Sequence, residues 1–119
     1  MERRVVITGM GIYSCLGKTL DEVRDSLYYG KSGIIFDPVR KEMGFRSALT
    51  AHLEIPDLKK ELSRSQRVYM PEQAKYAYCA TVDALRHAGI DQHYLNSHEA
   101  GILYGTDSSA DPVVPRVDT

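Results

Sequence analysis

The sequence predicts an α/β fold in which parallel-type strands are covered by helices. Residues 5–7 are three consecutive β-branched residues, a run that suits a strand covered on both faces. Residues 71–87 repeat small and apolar side chains at the three- and four-residue spacing of a helix. Residues 100–105 form a second short apolar run that ends in glycine. Two parallel strands need such a helical crossover, and its hand should be right.

Length and composition indicate one modest domain. The chain has 119 residues, is 43% hydrophobic and has a formal net charge of -1, from 15 basic and 16 acidic side chains. Balanced charge gives no electrostatic reason to expect nucleic acid or an anionic membrane as a partner. Because the sequence has neither an apolar run of transmembrane length nor a signal-peptide core, we expect a soluble cytoplasmic protein.

The first helix is predicted at residues 19–29. Thr19 and Glu22 have the spacing of a capping box, and apolar residues recur on one face. Gly30 is the expected stop. Residues 31–53 show no clear pattern, and we expect a short helix at residues 57–63.

The main helix, at residues 71–87, is the strongest periodic signal. Pro71 suits its first position and Gly89 its stop. The apolar face consists mostly of alanine, which allows another segment to approach closely. Cys79 lies near this face and is expected to be a small core residue. Residues 91–96 are predicted to form a short, turn-like helix.

The glycine-rich loop after the first predicted strand invites a dinucleotide-binding interpretation. Gly9 and Gly11 match the start of the G-x-G-x-x-G pattern, but Ser14 replaces its third glycine. The next helix cap, Thr19, comes too late for the helix to open at the phosphates. These mismatches disfavour nucleotide binding as an interpretation of the loop, and no cofactor is expected.

The cysteines and histidines do not form a recognisable catalytic or metal pattern. His93 and His98 are five residues apart, with no cysteine nearby at zinc spacing. Cys15 has no helix start directly after it to stabilise a thiolate. His87 falls in the last turn of the main helix and suits a capping role better than a catalytic one.

A polar loop follows the second predicted strand. It contains Thr106, Asp107, Ser108 and Ser109. The carboxyl ends of strands host ligand sites in open α/β sheets, so this loop is a candidate pocket, although a plain surface loop fits the residues as well.

Four segments in order resemble the β-ketoacyl-acyl-carrier-protein synthases, the elongating condensing enzymes. Residues 3–17 match their opening, R-R-V-V-I-T-G-x-G-x-x-S-x-x-G. Residues 27–34 are similar to L-x-x-G-x-S-G-I, and residues 43–47 to a segment typical of the synthase I type. Residues 101–106 resemble the strand V-G-L-I-x-G-S/T. The resemblance implies a thiolase-like fold of two similar halves, usually in a tight homodimer.

The resemblance also implies a chemistry. An acyl chain passes from acyl carrier protein to a cysteine, and malonyl carrier protein then loses carbon dioxide and attacks the thioester. The family uses one cysteine and two histidines, and neither Cys15 nor Cys79 matches that cysteine. Only Asp107, Ser108 and Ser109 align near the family's acyl pocket. Relatives often carry glycine or a bulky apolar residue there, so Asp107 and Ser108 bear on chain-length preference.

We therefore expect residues 1–119 to be a truncated amino-terminal part of a condensing enzyme, inactive alone and prone to associate. Acyl carrier protein is its expected partner. The alternative is a non-catalytic relative, such as a partner subunit of the chain-length-factor type.

Overall fold

The computed structural model describes residues 2–106. In this range it contains five helices and two strands, in the order α1 Leu20–Tyr28, β1 Ile34–Phe36, α2 Pro38–Glu42, β2 Leu49–Ala51, α3 Arg64–Val68, α4 Glu72–Ala88 and α5 Gln92–Ser97. None of these helices has the length and apolar character needed to cross a membrane.

Helix α1 forms where its cap predicts it. The Thr19 hydroxyl accepts a hydrogen bond from the Glu22 amide at 3.2 Å. The returning bond differs from the expected capping box, because the Glu22 carboxylate accepts from the Lys18 amide at 2.7 Å and not from that of Thr19. Gly30, with φ of 66°, follows the helix in the left-handed region that glycine enters without steric cost.

The unpatterned segment after α1 folds into a small hairpin. Strands β1 and β2 pair antiparallel, with Ile34 opposite Ala51 and Phe36 opposite Leu49. Helix α2 lies between them and begins where the Asp37 carboxylate accepts from the Val39 amide at 3.0 Å. Strands of three residues are too short to show an alternating pattern in the sequence.

The helix predicted at residues 57–63 is wrong, and α3 begins just after it. Ser63 and Gln66 form a reciprocal capping box, with the Ser63 hydroxyl accepting from the Gln66 amide and the Gln66 side chain accepting from the Ser63 amide. This cap starts the helix at Arg64. Leu58, in the turn before it, is only 4% exposed and is the one buried apolar residue among those described.

Helix α4 confirms the main periodic prediction. Pro71 is its cap, so the helix begins one residue later than expected, at Glu72. Gly89, with φ of 70°, ends it, as predicted. Helix α5 follows. The Asp91 carboxylate caps its start by accepting a hydrogen bond from the Tyr94 amide at 2.8 Å.

The two strands predicted at residues 5–7 and 100–105 do not form within residues 2–106, so the expected parallel pair is not found in this range. Both segments lack strand pairing, and Val5 and Leu103 are 93% and 99% exposed. A strand depends on hydrogen bonds to a neighbouring strand, and no described segment supplies one to either run. The α/β fold class itself is confirmed by the structural comparison given below.

Much apolar surface is left uncovered. Among the described residues, Val5, Ile102 and Leu103 are each at least 84% exposed. The exposed residues concentrate in the unpaired segments and the hairpin. The described part of the chain therefore presents surfaces suited to further protein.

Candidate functional site

An apolar groove of about 800 Å³ runs along one face of α4. Ala74, Ala77 and Ala80 line it from the helix, and Tyr13 and Tyr104 line it from the two flanking segments. The concavity exists because alanine side chains leave room between the larger tyrosines. Its volume falls within the range of about 300–1,000 Å³ that is usual for small-molecule sites.

Tyr104 is tied to α4 across this groove. Its hydroxyl donates to the carbonyl oxygen of Ala77 at 2.8 Å, and the Thr81 hydroxyl donates to the same oxygen at 2.7 Å. The two hydroxyls also contact each other. Because each hydroxyl has a single proton, three oxygen atoms share two protons in one compact cluster.

A second aromatic cluster lies at the Tyr13 side of the groove. The rings of Tyr13 and Tyr76 stack with centroids 5.4 Å apart and planes at 18°. The Tyr76 hydroxyl donates to the Glu72 carboxylate, one helical turn earlier. Burial, and then this carboxylate, raise the pKa of Tyr76. The phenol therefore stays protonated and donates a hydrogen bond at any physiological pH.

An ion pair holds a distant loop beside Tyr13. The Lys18 ammonium lies 2.7 Å from the Glu54 carboxylate and 5.6 Å from the centroid of the Tyr13 ring. The Tyr13 hydroxyl donates to the main-chain carbonyl of Glu54 at 2.9 Å. Their mutual hydrogen bond raises the pKa of Lys18 and lowers the pKa of Glu54. Because both groups are exposed, the pair orients the loop more than it stabilises the fold.

The predicted site residues Asp107, Ser108 and Ser109 lie outside the described residues. Gly105 and Thr106, which directly precede them in the chain, both line the groove. The sequence prediction for these three residues therefore remains a prediction.

Gly9 and Gly11 serve close packing. A Cβ on Gly9 would lie 2.5 Å from the carbonyl oxygen of Ala84, and one on Gly11 would lie 1.9 Å from that of Ala80. The amino-terminal segment thus lies directly on the alanine face of α4. This is the close approach that the small side chains of that face predict. The amide of Met10, between the glycines, donates to His87 Nδ1 at 3.0 Å. Glycines used in this way need no phosphate ligand to explain them.

Cys79 shows no sign of catalytic activation. Burial, and then the negative charges of Glu61 and Asp83, raise the pKa of the Cys79 thiol. A raised pKa disfavours the thiolate, which is the nucleophilic form. The backbone of Cys15 is in contact with Gly33, where an added Cβ would lie 2.3 Å from the Cys15 carbonyl oxygen. Both cysteines are half-buried free thiols.

Histidines take structural positions in this range. The His98 ring stacks on Tyr94 with centroids 3.9 Å apart, and its Nδ1 lies 3.0 Å from the Ser97 hydroxyl. Among residues 2–106, no group of three or more histidine, cysteine or acidic side chains is placed to hold a metal ion.

Sequence reasoning missed the tyrosines that shape the groove. Glu72 and Tyr76 do stand at the i,i+4 spacing of a side-chain pair on a helix, which was a usable signal. The contacts of Tyr13 and Tyr104 join residues far apart in the chain, and no local pattern predicts them.

Comparison with protein families gives one clear match. Residues 2–115 match the family model described as "Beta-ketoacyl synthase, N-terminal domain". The 3-oxoacyl-[acyl-carrier-protein] synthase 1 of Buchnera aphidicola is 34% identical over 108 residues, which cover 90% of this chain and 26% of that protein. The enzyme of the same name from Escherichia coli is 32% identical over 105 residues, covering 87% of this chain and 26% of that protein.

A solved structure gives the same result for the fold. The crystal structure of a beta-ketoacyl synthase from Burkholderia phymatum matches with a TM-score of 0.67 and 29% identity, over 76% of this chain and 22% of that one. The chain spans about a quarter of the length of the curated relatives it matches.

Proposed function

The chain belongs to the β-ketoacyl synthase family, and from this premise we propose that it forms the amino-terminal part of a 3-oxoacyl-acyl-carrier-protein synthase. The family match extends over nearly all of the chain, and the thiolase-like fold agrees with it. The proposed domain is residues 1–119, as one portion of a longer condensing enzyme.

The proposed reaction is a decarboxylative condensation. A cysteine thiolate attacks the thioester of acyl carrier protein; the acyl group passes to the cysteine as a new thioester, and the thiolate of the carrier protein leaves. Malonyl carrier protein then loses carbon dioxide, and the carbanion left behind attacks the thioester carbonyl. The new carbon–carbon bond yields 3-oxoacyl carrier protein and releases the cysteine thiolate.

In this scheme the described residues bind the acyl chain and leave the bond-forming chemistry to other parts of the enzyme. The observation that carries this role is the apolar groove beside α4, which reaches Gly105 and Thr106. An alkyl chain suits walls of alanine and tyrosine, because its burial removes apolar area from water on both sides. Asp107, Ser108 and Ser109 are proposed to contact the chain at this end.

The nucleophile is proposed to lie in the part of the enzyme beyond this chain. Cys79 is a poor candidate because its raised pKa keeps the thiol protonated. The whole enzyme is proposed to be a homodimer that receives its acyl and malonyl groups on acyl carrier protein. The extensive exposed apolar surface supports contact with further protein.

The test is a condensation assay on the full-length protein that carries this chain. We expect 3-oxoacyl carrier protein and carbon dioxide from acyl and malonyl carrier proteins, and an acyl-cysteine detectable by mass spectrometry when malonyl carrier protein is omitted. The matched control replaces the acylated cysteine by alanine. A full-length protein with no cysteine that becomes acylated, and no condensation, would support the chain-length-factor type of partner instead.

A further inference from the structure

His87 joins the end of α4 to the amino-terminal segment through one hydrogen bond. The main-chain amide of Met10 donates to Nδ1 of the His87 ring at 3.0 Å. Because a main-chain N–H is always a donor, Nδ1 must be an unprotonated acceptor, and the ring must be neutral with its proton on Nε2. The contact therefore requires one protonation state and one tautomer of the ring.

The glycines on either side of Met10 leave its amide little room to adjust. A Cβ on Gly9 would lie 2.5 Å from the Ala84 carbonyl oxygen, so the main chain of the segment rests on the main chain of the helix. A proton on Nδ1 would face the Met10 N–H, and two donors do not form a hydrogen bond. A protonated ring must therefore turn away, or the segment must move off the helix.

The place of His87 in the helix favours the charged ring instead. It lies with Arg86 in the last turn of α4, where the helix dipole stabilises a positive charge. The amino-terminal segment thus favours the neutral ring and the helix end favours the charged one. Histidine ordinarily changes its charge between about pH 5 and 8, so both states are within physiological reach.

The charges around His87 come mostly from its own helix. Asp83 lies one turn before it, and the Asp83 carboxylate pairs with the Arg86 guanidinium at 2.7 Å. The segment contacts this part of α4 with residues 9–11, none of which has a titratable side chain. The other charged residues of the two neighbouring segments are Glu2, Arg3, Arg4 and Asp91.

We propose that His87 is a proton-sensitive latch that holds the amino-terminal segment on α4. The neutral ring accepts from the Met10 amide and fixes residues 9–11. When Nδ1 gains a proton this hydrogen bond is lost, and packing alone holds the segment. The loosened segment leads to Tyr13, whose ring stacks on Tyr76 of the same helix. The latch operates whether or not the full-length protein condenses acyl groups.

Two substitutions fix the latch in one state each. His87→Asn places an amide oxygen near the position of Nδ1, so an acceptor is present at every pH. His87→Phe keeps a ring and removes the acceptor. His93→Asn is the matched control, because it removes another titratable ring, on α5, and leaves the Met10 contact in place.

The experiment measures amide hydrogen exchange of the full-length protein at about pH 8 and about pH 5, with each rate divided by the intrinsic rate at that pH. In the wild type, protection of the peptide that contains residues 9–11 should fall about threefold at the lower pH, relative to the hairpin at residues 34–51, as expected for the loss of one hydrogen bond. His87→Asn should keep this protection at both pH values, and His87→Phe should lack it at both. His93→Asn should behave as the wild type does.

The comparison of wild type with His87→Asn decides the outcome even if His87→Phe does not fold. The same pH dependence in these two proteins overturns the latch, and so does protection of residues 9–11 that is constant with pH in the wild type. Nitrogen NMR of the protein with isotope-labelled histidine tests the tautomer, and the His87 signals are those absent from His87→Asn. A ring protonated on Nε2 at about pH 8 supports the latch, and a ring protonated on Nδ1 overturns it.

Discussion

Gly11 lies so close to α4 that a Cβ built on it would stand 1.9 Å from the carbonyl oxygen of Ala80. The main chain of the amino-terminal segment therefore packs on the main chain of the helix with no side chain between them. Two small residues are needed for this contact, glycine on the segment and alanine on the helix. The alanine-rich face of α4 and the glycine-rich loop are thus two halves of one packing arrangement.

Gly11→Ala should destabilise the full-length protein by about 1–3 kcal/mol, the usual range for overpacking against atoms that cannot move aside. The obstacle is helix backbone, so the segment itself must shift. Gly101→Ala is the matched control, because a Cβ there would meet nothing within 4 Å. That variant should change the free energy of unfolding by less than about 0.5 kcal/mol. Equal effects of the two substitutions in urea unfolding would contradict the packing described for Gly11.

The difference between local signals and contacts over long sequence separations explains how much of the fold the sequence predicts. Helices α1, α4 and α5 were predicted because caps such as Thr19 and stops such as Gly89 are local signals. The helix expected at residues 57–63 ends where α3 begins, although Ser63 and Gln66 have the spacing of a capping box that starts a helix at Arg64.

Strand formation depends on partners that local sequence does not name. The β-branched run at residues 5–7 reads as a buried strand, yet Val5 is among the most exposed apolar residues. Its pattern describes the environment of a covered sheet, and the described part of the chain does not supply that environment. The groove was unpredictable for the same reason, because Tyr13 meets Tyr76 and Tyr104 meets Thr81 over long sequence separations.

The pair of Lys18 and Glu54 should give a pH-dependent contribution to stability. The pKa of Glu54 is lowered in the folded state, so its contribution is present above the unfolded carboxyl pKa and is lost as pH falls through the folded value. The pKa of Lys18 is raised, so its contribution is lost as pH rises through that raised value. The ion pair therefore stabilises the fold at pH values between the lowered pKa of Glu54 and the raised pKa of Lys18.

Lys18→Met should lower the unfolding midpoint of the full-length protein slightly at neutral pH and low salt. The difference from wild type should shrink in strong acid and in high salt, because protonation and screening both remove the attraction. Lys31→Met is the control, since Lys31 lies 5.9 Å from the Tyr29 ring centroid and has no ion pair among the described contacts. A Lys18→Met effect that is constant across pH and salt would rule out the ion pair as its cause.

Cys79 should react slowly with thiol reagents in the folded protein. Burial and nearby negative charge raise its pKa, so the thiolate fraction at neutral pH is below that of a free cysteine. In a full-length Cys15→Ser variant, mass spectrometry of the peptide that contains Cys79 should show slower iodoacetamide labelling than in the same protein in urea. Labelling at the same rate in both conditions would show that the thiol is neither buried nor charge-suppressed.

The exposed apolar surface should make the isolated 119-residue chain self-associate. Ile102 and Leu103 are almost fully exposed in an extended segment, and unpaired extended segments pair readily with other chains. Light scattering after size-exclusion chromatography should give a mass above that of the 13.4 kDa monomer, increasing with concentration.

Leu103→Lys should reduce this association, because a charge on an unpaired edge opposes pairing. Glu99→Lys is the control, since it places a lysine beside the apolar segment and not within it, with a larger change in net charge. A wild-type chain that remains monomeric at all concentrations, or one on which both substitutions act equally, would show that residues 102–103 do not drive contact with further protein.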